Sequence, residues 1–253
     1  MILELLLSNH CRDCTTCDKN GECRLQELAG RFGITRVRFK NTAENPDIDD
    51  SSLCITRDRS KCILCGDCVR VCNEVQNVGA INFVNRGSKM IVAAAFDEPI
   101  ADSNCVGCGQ CAAVCPTGAI VIKNDSLRLW DEFDKEDVKV VAQIAPAVRV
   151  AVAKSFGLNE GNVMGKIVAS LKRIGFDEVF DTATGADLTV LEEANEFLDR
   201  IAENKNIPLF TSCCPAWVNY CEKNYPELLP NVSTCRSPME MFGSVIKEQY
   251  KTS

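Results

Sequence analysis

The apolar positions of this chain are grouped in short blocks whose period changes near its middle. Met1 to Leu7 is apolar apart from Glu4 and reads as a short helix. Residues 24 to 53 turn polar and acidic, with Asn45-Pro46-Asp47 and Asp49-Asp50 marking a surface connection. A plan of strand, cysteine loop, short helix and strand then runs twice. Ile55 and Thr56 open the first copy, and Ala80-Ile81-Asn82-Phe83 and Ala119-Ile120-Val121-Ile122 are equivalent closing strands. Met90 to Ala95 is a further strand candidate. Asn124 to Asp137 is charged with periodic Leu127, Leu129, Trp130 and Phe133, which predicts a linking helix on which Trp130 is a packing anchor.

Beyond that helix the pattern alternates. Lys139 to Ile144, Glu178 to Asp181 and Pro208 to Thr211 read as strands, and Asn162 to Ile174, Thr189 to Ala202 and Met239 to Tyr250 as helices. Such alternation predicts a parallel sheet covered by helices, with ligands gathering at the carboxyl ends of the strands.

Composition narrows the class. A chain of 253 residues can hold two or three compact domains. Seventeen cysteines without a signal peptide point to metal ligation in a reducing, cytoplasmic setting rather than to disulfides. The apolar opening is short and lacks a basic start or a small-residue cleavage site, and no apolar run is long enough to span a bilayer. The formal charge of -7 makes nucleic acid an unsuitable partner.

The cysteines are not scattered. Cys62, Cys65, Cys68 and Cys72 form one run of spacing C-x2-C-x2-C-x3-C, and Cys105, Cys108, Cys111 and Cys115, followed by Pro116, form a second. Three cysteines in a tight loop can cap three irons of a cubane, while the fourth is aimed at the other cube. This assigns Cys62, Cys65, Cys68 and Cys115 to one [4Fe-4S] cluster and Cys105, Cys108, Cys111 and Cys72 to another. Zinc, the bland alternative, fits two tandem runs of four badly. The segment from about residue 54 to 123 resembles bacterial two-cluster ferredoxins, with Asn73 standing where a proline usually follows the first run.

Ahead of it, His10-x3-Cys14-x2-Cys17-x5-Cys23 supplies one imidazole and three thiolates, with Cys11 beside the frame as a spectator and the one competitor to Cys14. The frame and its flanks, the apolar helix before His10 and Gly21-Glu22-Cys23-x-Leu25-Gln26 after it, resemble a [4Fe-4S] module. That module is shared by the large iron-sulfur subunit of respiratory complex I, some formate dehydrogenases and the longer [FeFe]-hydrogenases. A neutral imidazole in place of a thiolate raises a cluster's potential. Three clusters would bring the net charge to about -12.

The third motif is Thr211-Ser212-Cys213-Cys214-Pro215-Ala216-Trp217. A helix-starting proline after adjacent cysteines puts both thiols at a helix N-terminus, where the dipole favours thiolate. This stretch resembles the first signature of the [FeFe]-hydrogenase catalytic domain. The likeness extends through Ala145-Pro146-Ala147-Val148-Arg149, Phe180-Asp181, Gly185-Ala186-Asp187, Glu192-Glu193-Ala194, Tyr225 to Leu229 and Ser237-Pro238. Met239 departs from a frequent glutamine, and Cys235 from a small residue.

The resemblance implies an H-cluster, a [4Fe-4S] cube joined through a shared cysteine to a two-iron centre, with Cys214 as a ligand of the cube. It implies proton transfer through Cys213, Glu193, Ser233 and Glu196, and a pocket lined by Ala145, Pro146 and Ser237. Independently of it, Glu193 and Glu196 at i, i+3 share a helix face and can pass a proton along it. Cys54, Cys221 and Cys235 read as buried small apolar residues.

The expected fold is α+β: a histidine/three-cysteine module over residues 1–50, a two-[4Fe-4S] ferredoxin-like domain over 51–124, and the first α/β part of the H-cluster domain over 125–253. The family's preceding [2Fe-2S] domain and its later H-cluster cysteines are expected to be missing. The complete protein would interconvert H2 with protons and electrons, would exchange electrons with ferredoxin or a flavin/NAD-linked iron-sulfur subunit, and would need maturation proteins for its two-iron centre. The piece alone is expected to be inactive. Three rivals are a dedicated electron-transfer protein without catalysis, a complex-I-like subunit, which does not predict Thr211 to Trp217, and a eukaryotic cluster-assembly relative, which lacks the paired cysteine.

Overall fold

The computed structural model describes residues 1–41, 48–158 and 163–251. The predicted turn at Asn45-Pro46-Asp47 and the first residue of the predicted helix at Asn162 lie outside them. The chain forms two compact units, Met1–Lys123 and Asn124–Ser253. Among the described residues no helix is long and apolar enough to cross a membrane.

The first unit opens with helix α1 (Ile2–Ser8). Glu4 is buried on it, ion-paired with the Arg38 guanidinium (2.5 Å) and near the amino terminus (3.5 Å), which compensates a carboxylate removed from water. A second helix, α2 (Arg24–Arg31), occupies a stretch expected to be a polar connection. Leu25 is buried at its start while Arg24 and Glu27 pair on its outer face, so one apolar anchor suffices for two turns.

Strands β1 (Ile48–Asp49), β2 (Ile55–Asp58) and β5 (Ile120–Ile122) form an antiparallel sheet in the order β1-β2-β5, with Arg57 opposite Ile120. Strands β3 (Asn82–Val84) and β4 (Ile91–Ala93) form a separate antiparallel pair, with Phe83 opposite Val92. The two closing strands expected to be equivalent therefore differ: β5 returns to β2, whereas β3 folds onto the strand that follows it. Pairing partners are nonlocal and are not set by a strand's own sequence. Between strands lie α3 (Asp67–Arg70), continued by a wider turn over Val71–Val75, and α4 (Gln110–Val114). Ile55, Val69, Ile81, Val92, Ile100 and Ile120 make the core, and six cysteines of the two runs or beside them pack against it.

In the second unit, α5 (Ser126–Phe133) is held by Phe133, whose ring meets Phe176 edge-on at 5.1 Å and lies 5.5 Å from Trp130. Trp130 is 52% exposed, so Phe133 is the anchor and Trp130 its outer cover. Strands β6 (Val141–Ile144) and β7 (Glu178–Asp181) pair in parallel, joined by α6 (Pro146–Ser155) and α7 (Val163–Ile174). The alternation assigns no element to α6. Pro146 stands at its first position, where a missing N–H costs nothing.

Helix α8 (Ala183–Glu203) begins six residues before the predicted Thr189 and takes in Gly185-Ala186-Asp187. Pro208 to Thr211 is not a strand; its one pairing is a parallel bridge between Phe210 and Val232. Helices α9 (Pro215–Asn224) and α10 (Pro238–Lys251) follow, and α10 packs on α8.

Candidate functional site

Each cysteine loop of the first unit turns into its helix through a left-handed glycine, Gly66 (φ +80°) before α3 and Gly109 (φ +71°) before α4. An L side chain is strained there, so glycine lets the loop curl back over its own thiols. Two clefts result. One, of about 680 Å³, has Cys62, Cys65, Cys68 and Cys115 in its wall. The other, a narrow apolar cleft of about 30 Å³, has Cys72, Cys105, Cys108 and Cys111. Each thus combines three cysteines of one run with the fourth of the other.

The electrostatics follow the same grouping. Burial, then the neighbouring Cys62, Cys115 and Cys65, push the Cys68 thiol up to about 12. Burial, then Cys105 and Cys108, do the same to Cys111, also to about 12. Thiols so crowded are stable as thiolates only against a cation, and metal binding here must release protons. Among the described residues no three His, Cys, Asp or Glu side chains converge as a single ion would require; a cubane instead spreads its ligands over four corners. Asn73, in place of proline, donates its side-chain N–H to the Val69 carbonyl (2.9 Å), holding the turn after α3 by a hydrogen bond.

The amino-terminal frame lies in the same unit. His10 is buried; its Nδ1 accepts the Arg12 backbone N–H (3.0 Å), and its Nε2 has no hydrogen-bond partner. Burial holds the imidazole below its ordinary pKa against the opposing charge of Asp58, which keeps the ring neutral. Burial and the nearby Cys23, Cys17 and Cys11 raise the Cys14 thiol. Cys11 is thus a close neighbour of the frame as well. Cys17 lies against the second cysteine loop: a Cβ on Gly118 would come within 2.6 Å of its sulfur. An orphaned buried imidazole nitrogen beside grouped thiols, and two four-cysteine clefts, match iron-sulfur clusters in the type and grouping of their donors.

In the second unit Cys213 and Cys214 are exposed, Cys214 capping α9 with Pro215 at its first position. The neighbouring Ser212 donates its hydroxyl to the Cys235 carbonyl. From there a connected set runs inward. The Cys235 N–H donates to Ser233 Oγ (3.1 Å), and the Ser233 hydroxyl donates to Glu196 Oε2 (2.7 Å). The Thr234 N–H adds a contact of 3.3 Å to each Glu196 oxygen.

Arg200, one turn on from Glu196, pairs with Oε1 (2.5 Å) and also donates to the carbonyls of Asn206, Pro230, Asn231 and Val232. Burial pushes the Glu196 carboxyl up, but the bonds from Ser233, Thr234 and Arg200 outweigh it and leave the group below its ordinary value. Glu193 Oε1 is buried without a hydrogen-bond partner. It faces Cys235, whose thiol is raised by burial and then by Glu193, Glu192 and Glu196.

Cys235 is therefore more than an apolar filler, since its backbone links Ser212 to Ser233 and its sulfur meets Met241 Sδ at 3.3 Å. Cys221 is fully buried. Ser237 caps α10, accepting the Glu240 N–H at 3.3 Å, and Ala145 and Pro146 stand at the carboxyl end of β6. Arg200 carries one signal in the sequence, its i, i+4 spacing from Glu196.

Residues 138–253 match the family described as iron only hydrogenase large subunit, C-terminal domain. Residues 1–38 match the NADH-ubiquinone oxidoreductase-G iron-sulfur binding region, and residues 61–119 a 4Fe-4S dicluster domain. The chain is 45% identical to the NADP-reducing hydrogenase subunit HndD of Solidesulfovibrio fructosivorans, over 98% of this chain and 44% of that protein. It is 36% identical to iron hydrogenase 1 of Clostridium pasteurianum, over 97% and 43%. A solved [FeFe]-hydrogenase structure is 43% identical over 46% of this chain and 31% of that one, with a TM-score of 0.42. The chain spans less than half the length of the curated relatives it matches. Two iron-sulfur-binding segments followed, in chain order, by the hydrogenase domain make it a member of the iron-only hydrogenase family.

Proposed function

We propose that this chain is the electron-conducting and first catalytic part of an [FeFe]-hydrogenase, in three parts over residues 1–50, 51–124 and 125–253. The observation that carries the reading is the sorting of eight cysteines into two clefts, each with three thiols from one run and one from the other. It supports one [4Fe-4S] cluster on Cys62, Cys65, Cys68 and Cys115, and one on Cys105, Cys108, Cys111 and Cys72. The unpartnered Nε2 of His10 supports a third on His10, Cys14, Cys17 and Cys23. The 45% identity to a subunit named as NADP-reducing favours a flavin- and nicotinamide-linked partner over free ferredoxin. Seventeen cysteines, none of the described ones disulfide-bonded, favour a reducing compartment.

In the second unit Cys214 would hold the H-cluster cube, with Ala145, Pro146 and Ser237 lining the pocket. When bound, the H-cluster supplies the redox chemistry of H2. The chain's own residues move the proton. Cys213 Sγ exchanges it with the pocket, and Glu193, the carboxylate with an unpartnered oxygen, takes it onward. Ser233 Oγ donates to Glu196 and accepts from the Cys235 N–H, which leaves one lone pair for an incoming proton as its own is handed on. Arg200 keeps Glu196 anionic and ready to accept.

Anaerobic reconstitution of this chain with iron and sulfide should give about twelve iron per chain; binding of about eight would remove the His10 cluster, and none would overturn the reading. In the enzyme at its relatives' full length, Cys213→Ala should abolish H2 turnover in both directions while leaving that accessory iron in place. Undiminished turnover would sink the proton route.

A further inference from the structure

Arg57 is an unusual group to find between two clusters of thiols. It lies on β2, is 3% exposed, and is the one charged side chain lining the narrow Cys72/Cys105 cleft among the described residues. It also lines the Cys62/Cys115 cleft, and only Ile120 shares that double position. Its guanidinium donates to the Val92 carbonyl (3.2 Å) and to Asp49 Oδ2 (2.9 Å). Its Nε–H is buried and has no partner.

Sheet stability does not require this arrangement. A buried guanidinium keeps its charge, and an unpaired buried donor is destabilising. Asp49 compensates it incompletely, because that carboxylate also accepts the Ile100 N–H (3.0 Å) and both the N–H and hydroxyl of Ser51. What the arrangement provides is a fixed positive charge against both cysteine clefts at once.

We propose that Arg57 is a positioning charge for electron transfer, setting the reduction potentials of the two ferredoxin-like clusters jointly, with Asp49 as its counterweight. The proposal rests on the two-cluster reading above. A cluster that gains an electron gains negative charge, so a neighbouring cation stabilises the reduced form and raises the potential. The nearby anion does the reverse. Because one cation faces both clefts, the two potentials move together, and the step between the clusters stays small.

Redox titration of the reconstituted chain, followed by EPR with iron counted in each sample, tests this. Arg57→Gln should shift both ferredoxin-like potentials to more negative values, Arg57→Lys should hold them near the parent, and Asp49→Asn should shift both to more positive values. The double substitution should return toward the parent. A purely structural role predicts no such opposition of sign. Unchanged potentials in Arg57→Gln with full iron, or movement of one cluster alone, would overturn the proposal. If Arg57→Gln fails to load, Asp49→Asn decides: no positive shift overturns it. A parent chain that lacks both cubane signals overturns the cluster reading itself, and this inference with it.

Discussion

Gly185 on α8 lies directly under the first turn of α10, and replacing it with alanine tests how closely the two helices approach. An alanine Cβ there would overlap the Pro238 carbonyl oxygen and sit 2.8 Å from Phe242 Cβ. In an open helix Gly→Ala gains about 1 kcal/mol. Here the obstruction is backbone, which cannot swing away, so α10 must lift off α8. Overpacking of this kind costs about 1–3 kcal/mol, and the edge-on contact of Phe180 with Phe242 at 5.6 Å loosens as well. The backbone clash outweighs the propensity gain, and a net loss of up to about 2 kcal/mol is expected.

Gly243 on α10 is the matched control. Its added Cβ would meet only Gln143 Nε2, at 3.6 Å, an ordinary contact. Gly243→Ala should therefore stabilise by about 1 kcal/mol. Both tryptophans, Trp130 and Trp217, lie in the second unit, so fluorescence-detected urea unfolding of the whole chain reports on that unit. The midpoint should fall for Gly185→Ala and rise for Gly243→Ala. A Gly185→Ala midpoint at or above the parent's would refute the close approach of α8 and α10.

Cys62→Ser and Cys115→Ser should each remove about four iron, and the pair together no more than either alone, whereas Cys115→Ser with Cys105→Ser should remove about eight; additive loss in the first pair would break the shared-cleft reading. Glu196→Gln should destabilise by about 1–3 kcal/mol at neutral pH by removing the charged acceptor of Ser233 and Arg200. Because the folded carboxyl lies below its ordinary value of 4.5, that difference is fully present above pH 4.5 and vanishes as acid protonates the parent's Glu196 in the fold. Parallel acid titrations of the two proteins check this. Gly118→Ala should displace Cys17 and cost the chain about four iron while sparing the two ferredoxin-like EPR signals; full iron with an unchanged His10-cluster spectrum would contradict it.

Features governed by local spacing are the ones the sequence makes legible. Glu178 to Asp181 is a strand with the expected bounds, and the expected helices at Met1 and Met239 are present because a few apolar positions on one period define them. Long-range pairing is not legible in this way. Nothing within Ala80 to Phe83 says that it pairs forward with Ile91–Ala93, while Ile120–Ile122 returns to Ile55–Asp58. Helix α6 is hidden because Val148, Val150 and Val152 alternate like a strand, and position after Pro146 decides against that pattern. In the second unit, Glu196 and Ser233 are legible as residues but not as partners. Their contact depends on Val232 lying beside Phe210 and on Arg200 gathering four backbone carbonyls, neither of which leaves a motif.

The exchange of fourth cysteines between the two loops has a consequence for how this segment can be assembled. Neither repeat owns a complete set of thiols, because Cys115 belongs to the cleft of the first loop and Cys72 to that of the second. A nascent chain that has emerged only as far as the β3–β4 hairpin cannot close its first cleft, since the remaining sulfur is still to be made. On the cluster assignment proposed above, loading waits until the second repeat is out. A single repeat cloned alone would keep four cysteines but only three of them in its own cleft, so the two repeats form a unit that cannot be divided.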